Sequence, residues 1–174
     1  MQFHDGLEVL GTDERPRDGG LWCGVFEDSV VERVELPSTL KRIEYSAFEC
    51  CKSLKSIALP DGLEHIGMKC FKDSALEEIR LPALKTIEQL TFSCCMGLKS
   101  VQFSPGLERI GIKAFCRTKL ESVRFPSSLR RICQGAFSEC NNLRTVVLNE
   151  GLEALGADEY PSKSAGFQYY LGTF

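Results

Sequence analysis

The chain has 174 residues, 43% of them hydrophobic and 26% charged, with a formal net charge of −3. That composition excludes wholesale disorder, and so small a charge gives no electrostatic ground for nucleic acid or an anionic membrane as a partner. No apolar run approaches the roughly 20 residues that a spanning helix needs, so no membrane insertion is expected.

The N-terminal stretch, "MQFHDGLEVLG", lacks the basic segment and apolar core of a signal peptide. It is similar to "VQFSPGLERIG" at 101–111, so the chain is expected to begin inside a repeat, on a strand. Leu10 and Leu21 both fit one column of that repeat, which implies an insertion near 11–20; the register resumes at "LWCGVFEDSVV" with Phe26. From there the units run regularly. Each starts with an alternating apolar pair: Val34 and Leu36, Ile57 and Leu59, Ile79 and Leu81, Val101 and Phe103, Val123 and Phe125. Val146 opens another. Successive starts lie 23, 22, 22, 22 and 23 residues apart. An apolar–polar–apolar triplet reads as a short strand with one face inward, and the proline that often follows ends it.

Downstream of each triplet come Leu40, Leu63, Leu84, Leu107 or Leu129, then Ile43, Ile66, Ile87, Ile110 or Ile132. Five residues later stands Phe48, Phe71, Phe92, Phe115 or Phe137, and a leucine closes the unit at Leu54, Leu76, Leu98, Leu120 or Leu143. The last copy, "GLEALGADEYP" from Gly151, mirrors "GLEVLGTDERP" from Gly6 and is followed by a second insertion near 157–165. A 20–29-residue period with leucine-type residues at fixed offsets predicts a leucine-rich-repeat solenoid. The expected fold has one short parallel strand per unit and turns or short helical turns on the opposite side. One unit cannot bury its own Phe, Ile and Leu, but stacked units make each column part of a continuous core. Paired amphipathic helices are a weaker reading, because the apolar spacing does not hold a 3.6 period. The whole chain, 1–174, is expected to be a single repeat domain of about seven units, cut from a longer array.

Units alternate between two kinds. One carries Lys41, Cys51 and Lys55; Lys85, Cys95 and Lys99; or Arg130, Cys140 and Arg144. The other carries Glu64, Ser74 and Glu77 or Glu108, Thr118 and Glu121, and the outer units follow it with Glu8, Ser29, Glu32 and Glu153. Parallel strands stack about 4.8 Å apart, so each charge would have opposite-sign neighbours, and a slip by one unit would set like charges together.

With these residues in hand, the chain resembles the BspA-like leucine-rich-repeat proteins. "LPSTLKRIEYSAFECCKSL" and "FPSSLRRICQGAFSECNNL" match their unit closely. The resemblance implies a curved right-handed solenoid with a parallel sheet on one face. It also implies adhesion or binding, as in members found on host-associated bacteria and parasitic protists, and hence a cell-surface or secreted location. The absence of a signal peptide and the unpaired thiols favour a reducing environment instead. The family carries no catalytic motif.

Nothing in the residues supplies chemistry. Nine cysteines form no C-x-x-C pair, and only His4 and His65 could join them, so neither a metal nor a cofactor is expected. Cys51, Cys95 and Cys140 share a column with Ser29, Ser74 and Thr118, which suggests a small half-polar packing slot. Cys51 and Cys95 sit two units apart, too far for a disulfide; a bond from Cys116 to Cys94 or Cys95 in the adjacent unit is open by spacing but not favoured. His65, beside Glu64, reads as a solvated histidine, and the pairs Asp13–Glu14 and Asp158–Glu159 as solvated loop charge. No enzyme is expected. The expected function is a protein-interaction or adhesion module that presents the sheet face to a protein or glycan. Its candidate residues are Arg33, Glu35, Ser56, Glu78, Arg80, Gln102, Ser122 and Arg124. The alternative is a structural spacer or self-assembling solenoid, with end-to-end association of copies.

Overall fold

A computed structural model describes residues 6–12 and 24–157. The two expected insertions therefore fall almost wholly outside the described residues, as do the acidic pairs within them. Each unit is one turn of a solenoid, and all strand pairing is parallel. No helix occurs among the described residues.

Four of the predicted triplets form strands, β4 (Glu78–Arg80), β6 (Ser100–Gln102), β8 (Ser122–Arg124) and β10 (Thr145–Val147), whereas those expected at 34–36 and 57–59 form no strand. β4 pairs with β6 and β8 with β10. Their central residues, Ile79 and Val123, point inward and are buried. The structure adds short strands at the isoleucine column, which the sequence reading did not separate from the turn. These are β1 (Val9–Leu10), β2 (Arg42–Ile43), β3 (His65–Ile66), β5 (Thr86–Ile87), β7 (Arg109–Ile110), β9 (Arg131–Cys133) and β11 (Ala154–Ala157). They assemble as β1-β2-β3 and as β5-β7-β9-β11. Two or three residues suffice, because the ladder is continued by neighbouring backbone: Glu64 N–H and His65 N–H both donate to the Lys41 carbonyl, at 2.8 and 3.2 Å.

The break between β3 and β5 coincides with a one-residue shortening. Leu81 to Leu84 is three steps, where the other units take four. Leu40, Leu63 and Leu129 close turns onto Pro37, Pro60 and Pro126, but Leu84 N–H bonds Pro82 O, two residues back, at 2.7 Å. The turn is tighter, and the following strand does not pair with β3.

The third side of each turn holds the phenylalanines. Phe26, Phe48, Phe71, Phe92, Phe115 and Phe137 stack with ring centroids 5.2–5.5 Å apart and interplanar angles of 2–17°. The last five are fully buried. Burying each contributes about 2–3 kcal/mol, and the offset stack adds to it. Around each ring the backbone forms an inter-unit ladder: Ser46, Phe48 and Cys50 N–H donate to the carbonyls of Met68, Cys70 and Lys72. The same three positions bridge Lys69, Phe71 and Asp73 to Gln89, Thr91 and Ser93. The residues two before and two after Phe take positive φ, as in Ser46 (50°), Cys50 (60°), Lys69 (58°) and Asp73 (59°). Left-handed residues between right-handed ones turn alternate N–H groups toward the next unit, which is how a turn becomes a ladder.

The alternation of unit types is structural. Cys51 Sγ donates to Phe26 O at 3.1 Å and meets Ser29 Oγ at 3.6 Å. Cys95 does the same with Phe71 O and Ser74, and Cys140 with Phe115 O and Thr118. Each Ser/Thr unit is thus tied to the cysteine unit after it. Ion pairs then tie the basic unit to the next acidic one: Lys41–Glu64 at 3.5 Å, Lys55–Glu77 at 3.7 Å and Arg130–Glu153 at 3.7 Å. Glycine in the column after isoleucine alternates as well. A Cβ on Gly67 or Gly111 would lie 2.7–2.8 Å from the backbone of Glu44–Tyr45 or Glu88–Gln89 in the preceding unit.

Candidate functional site

The triplet strands hold Glu78, Arg80, Gln102, Ser122 and Arg124 of the predicted face, while Arg33, Glu35 and Ser56 lie on triplets that form no strand. Because successive strand residues point to opposite sides, burying Ile79 and Val123 forces Glu78, Arg80, Ser122 and Arg124 outward. Arg33, Glu35, Ser56 and Gln102 are exposed as well, so all eight candidate residues lie on the surface. Strand register sets Glu78 beside Ser100 and Arg80 beside Gln102. Ser122 lies beside Thr145, and Arg124 beside Val147. Ser56, Glu78, Arg80 and Gln102 line one shallow depression of about 360 Å³, with Ser100 between them. Arg33 and Glu35 form their own ion pair at 2.8 Å. Arg80 reaches Asp61, a residue the sequence did not single out, at 3.7 Å. Both partners are largely exposed, so the pair contributes little and leaves the guanidinium accessible.

Two buried carboxylates were not anticipated. Glu44 lies beneath the isoleucine-column strands, with Arg42 Nε 2.6 Å from one oxygen and His65 Nε2 3.6 Å from the other. His65 is therefore not the solvated neighbour of Glu64 expected from the sequence: its side chain is 29% exposed and faces Glu44. The sequence signal was the alternation of Glu44 and Glu88 with Gly67 and Gly111. Glu49 accepts from Ser46 Oγ at 2.5 Å and from Lys72 Nζ at 2.8 Å. That contact with Glu49 is the main reason the Lys72 ammonium is held well above the usual lysine range. Both acids are fully partnered and act as structural ties.

No disulfide joins any of the eight described cysteines. Burial pushes Cys51 and Cys140 up, Cys70 well up and Cys95 to about 12, so these thiols stay protonated near neutrality. Among the described residues no three His, Cys, Asp or Glu converge as a metal site. Nor is any helix there long and apolar enough to cross a membrane.

Six copies of the BspA-type leucine-rich-repeat region match residues 23–144. The chain belongs to the BspA-type leucine-rich-repeat family. Such proteins are generally interaction or surface modules and generally not enzymes. Among solved structures, a leucine-rich-repeat protein of T. pallidum is 33% identical, with a TM-score of 0.72, covering 84% of this chain and 67% of that one. A leucine-rich-repeat protein from Eubacterium ventriosum shares the fold at 24% identity and a TM-score of 0.66, covering 78% of this chain and 40% of that one. A protein from Faecalibacterium prausnitzii described as a leucine-rich cell surface protein is 25% identical, with a TM-score of 0.53, over 68% of this chain and 39% of that one. The chain thus spans about two thirds of the first relative and two fifths of the other two. No curated protein matches the chain.

Proposed function

We propose that this BspA-type repeat domain is a non-enzymatic binding module whose triplet-strand face engages a protein or glycan surface, in the manner of an adhesin outside the cell. The whole chain is read as one domain of about seven units. One observation carries the reading. The inward residues of the triplets keep one character from unit to unit, while the exposed residues beside them run through Glu35, Ala58, Arg80, Gln102 and Arg124. A constant scaffold that displays a varied, nearly level face suits a macromolecular surface better than an enclosed small molecule. The likeness to a protein described as a cell surface protein supports the location. Arg80 and Arg124 are the anchors, because guanidinium makes planar multidentate contacts and is enriched at binding hot spots.

The test compares immobilised wild-type chain with the Arg80→Glu/Arg124→Glu variant against a panel of host surface proteins and glycans. The variant should lose about tenfold or more in affinity for whatever the wild type captures, with its thermal midpoint nearly unchanged. Equal capture by both would remove the triplet face from consideration. A chain that captures nothing would favour the spacer reading.

A further inference from the structure

We infer that a second copy of this chain docks against the flank carrying Glu32, Lys55, Glu77, Lys99, Glu121 and Arg144, in an antiparallel twofold pair. The charged column is distinct from the proposed binding face but borders it along one edge.

The first observation is charge. All six residues of this column are exposed, and their signs alternate along the solenoid. Within the chain, Lys55–Glu77 at 3.7 Å is the only neighbouring pair of the column joined within 4 Å among the described residues. Glu32, Lys99, Glu121 and Arg144 therefore keep their charge for an outside partner. In a twofold pair whose axis lies across the solenoid between Glu77 and Lys99, the column of one copy meets the same column reversed. Glu77 then faces Lys99, Lys55 faces Glu121 and Glu32 faces Arg144, each contact occurring twice, as an isologous interface requires. Every charge meets its opposite, at the same step of about 4.8 Å on both copies. A parallel twofold pair would set each charge against itself.

The second observation is shape. The corner before this column has two lengths. Two residues separate Cys51 from Leu54 and Cys95 from Leu98, but only Ala75 lies between Ser74 and Leu76. The longer corners are ridges and the shorter one a furrow. Between Lys52 and Met96–Gly97, over Ala75, lies a depression of about 470 Å³. A neighbouring depression of about 530 Å³, lined by Lys55, Glu77 and Lys99 together with Ser56, Glu78 and Ser100, runs on into the proposed binding face. The pairing that matches charge also sets each acidic, short-cornered unit opposite a basic, long-cornered one. Met96, 58% exposed at a ridge crest, then enters the furrow over Ala75 of the other copy. Corner length alternates with charge sign from unit to unit, so the register that opposes unlike charges also seats ridge in furrow.

Sedimentation velocity of the purified chain at low ionic strength tests this. A dimer is expected, weakening as salt rises, since charge attraction steers and holds it. Glu77→Lys should raise the dimer dissociation constant by about tenfold or more, because it sets two like-charged contacts at the axis. Glu77→Lys combined with Lys99→Glu should restore the dimer, since the swapped charges again oppose. The thermal midpoint reports that the variants fold, and the wild type's own salt dependence stands without them. A monomer at every concentration, a dimer indifferent to Glu77→Lys, a double variant no tighter than the single, or open-ended growth would each overturn the proposal.

Discussion

Cys95 shows what a half-polar side chain does inside this solenoid. Its thiol is fully enclosed, donates to Phe71 O at 3.0 Å and lies 3.4 Å from Ser74 Oγ. Burial is the main reason its pKa rises from 9.0 to about 12, against the opposing hydrogen bond from Ser74. Above about pH 9 the unfolded chain therefore gives up this proton while the folded chain keeps it. Folded stability is complete below that point and falls as pH rises toward about 12. Urea midpoints taken across this range should decline, and Cys95→Ser, which cannot ionise there, should decline less steeply. Parallel slopes for the two would show that the thiol does not contribute. A thiol reagent on the folded protein should reach the half-buried Cys50 and Cys94 before Cys51, Cys70 or Cys95. The interchange of cysteine with serine and threonine was visible in the sequence, and it gave the right kind of slot. Which carbonyl the thiol would bond was not visible, because an alignment of units fixes columns and not the direction of a side chain.

At the scale of the element, the phenylalanine turn was the least legible part of the fold. Its hydrophobic columns were plain, since Phe48, Phe71, Phe92, Phe115 and Phe137 recur at a fixed offset from isoleucine. Its backbone was not. Positive φ ordinarily announces itself as glycine or asparagine, yet here it falls on Leu90, Lys113, Arg117 and Glu139 among others. Such a residue gives up roughly 1–2 kcal/mol relative to the right-handed region. It is held there by neighbours on both sides: Lys113 N–H donates to Gln134 O at 3.1 Å, and Phe115 N–H to Ala136 O at 2.8 Å. The second strand at the isoleucine column was equally hard to see, because two residues are too few to show alternation. Lys113 offers a direct measurement. It is exposed with φ of 52°, and its column counterpart in the next unit is Gly135 at 63°. Lys113→Gly should raise the unfolding free energy, read from the urea midpoint, by up to about 1 kcal/mol after the entropy of a freer unfolded chain is subtracted. Lys113→Val, β-branched at the same φ, should lower stability by about 1–2 kcal/mol. The opposite order would mean that the turn relaxes out of the left-handed region at little cost.

For the whole molecule, the question is whether the shortened turn at Leu81–Leu84 divides the array into two blocks. A repeat protein holds together through contacts between neighbours, so one weak junction could split its unfolding into two steps. On the isoleucine-column side the junction is weak. Lys85 and Thr86 are the counterparts of Glu64 and His65, which bond Lys41 O, and of Glu108 and Arg109, which bond Lys85 O, but their N–H groups make no such bond to the unit before. On the phenylalanine side it is intact. Lys69, Phe71 and Asp73 N–H all cross it at 2.8–3.1 Å, and the Phe71 and Phe92 rings stack across it at 5.5 Å and 4°. The thiol of Cys95 also reaches back across it to Phe71 O. Three backbone bonds, a stacked aromatic pair and a buried thiol contact outweigh the loss of one two-residue pairing and of a strand partner for β4 on the 56–58 side. The described array should therefore unfold in urea as one transition, with the seam opening only locally. Native-state hydrogen exchange separates the two cases. The amides of Lys85 and Thr86 should exchange much faster than those of His65 and Arg109, while Phe71, Phe92 and Phe115 share the slowest, globally limited rate. If instead Phe71 exchanges through a lower-energy opening than Phe92 and Phe115, the stack does not bridge the seam, and the solenoid is two cooperative units joined at Leu81–Leu84.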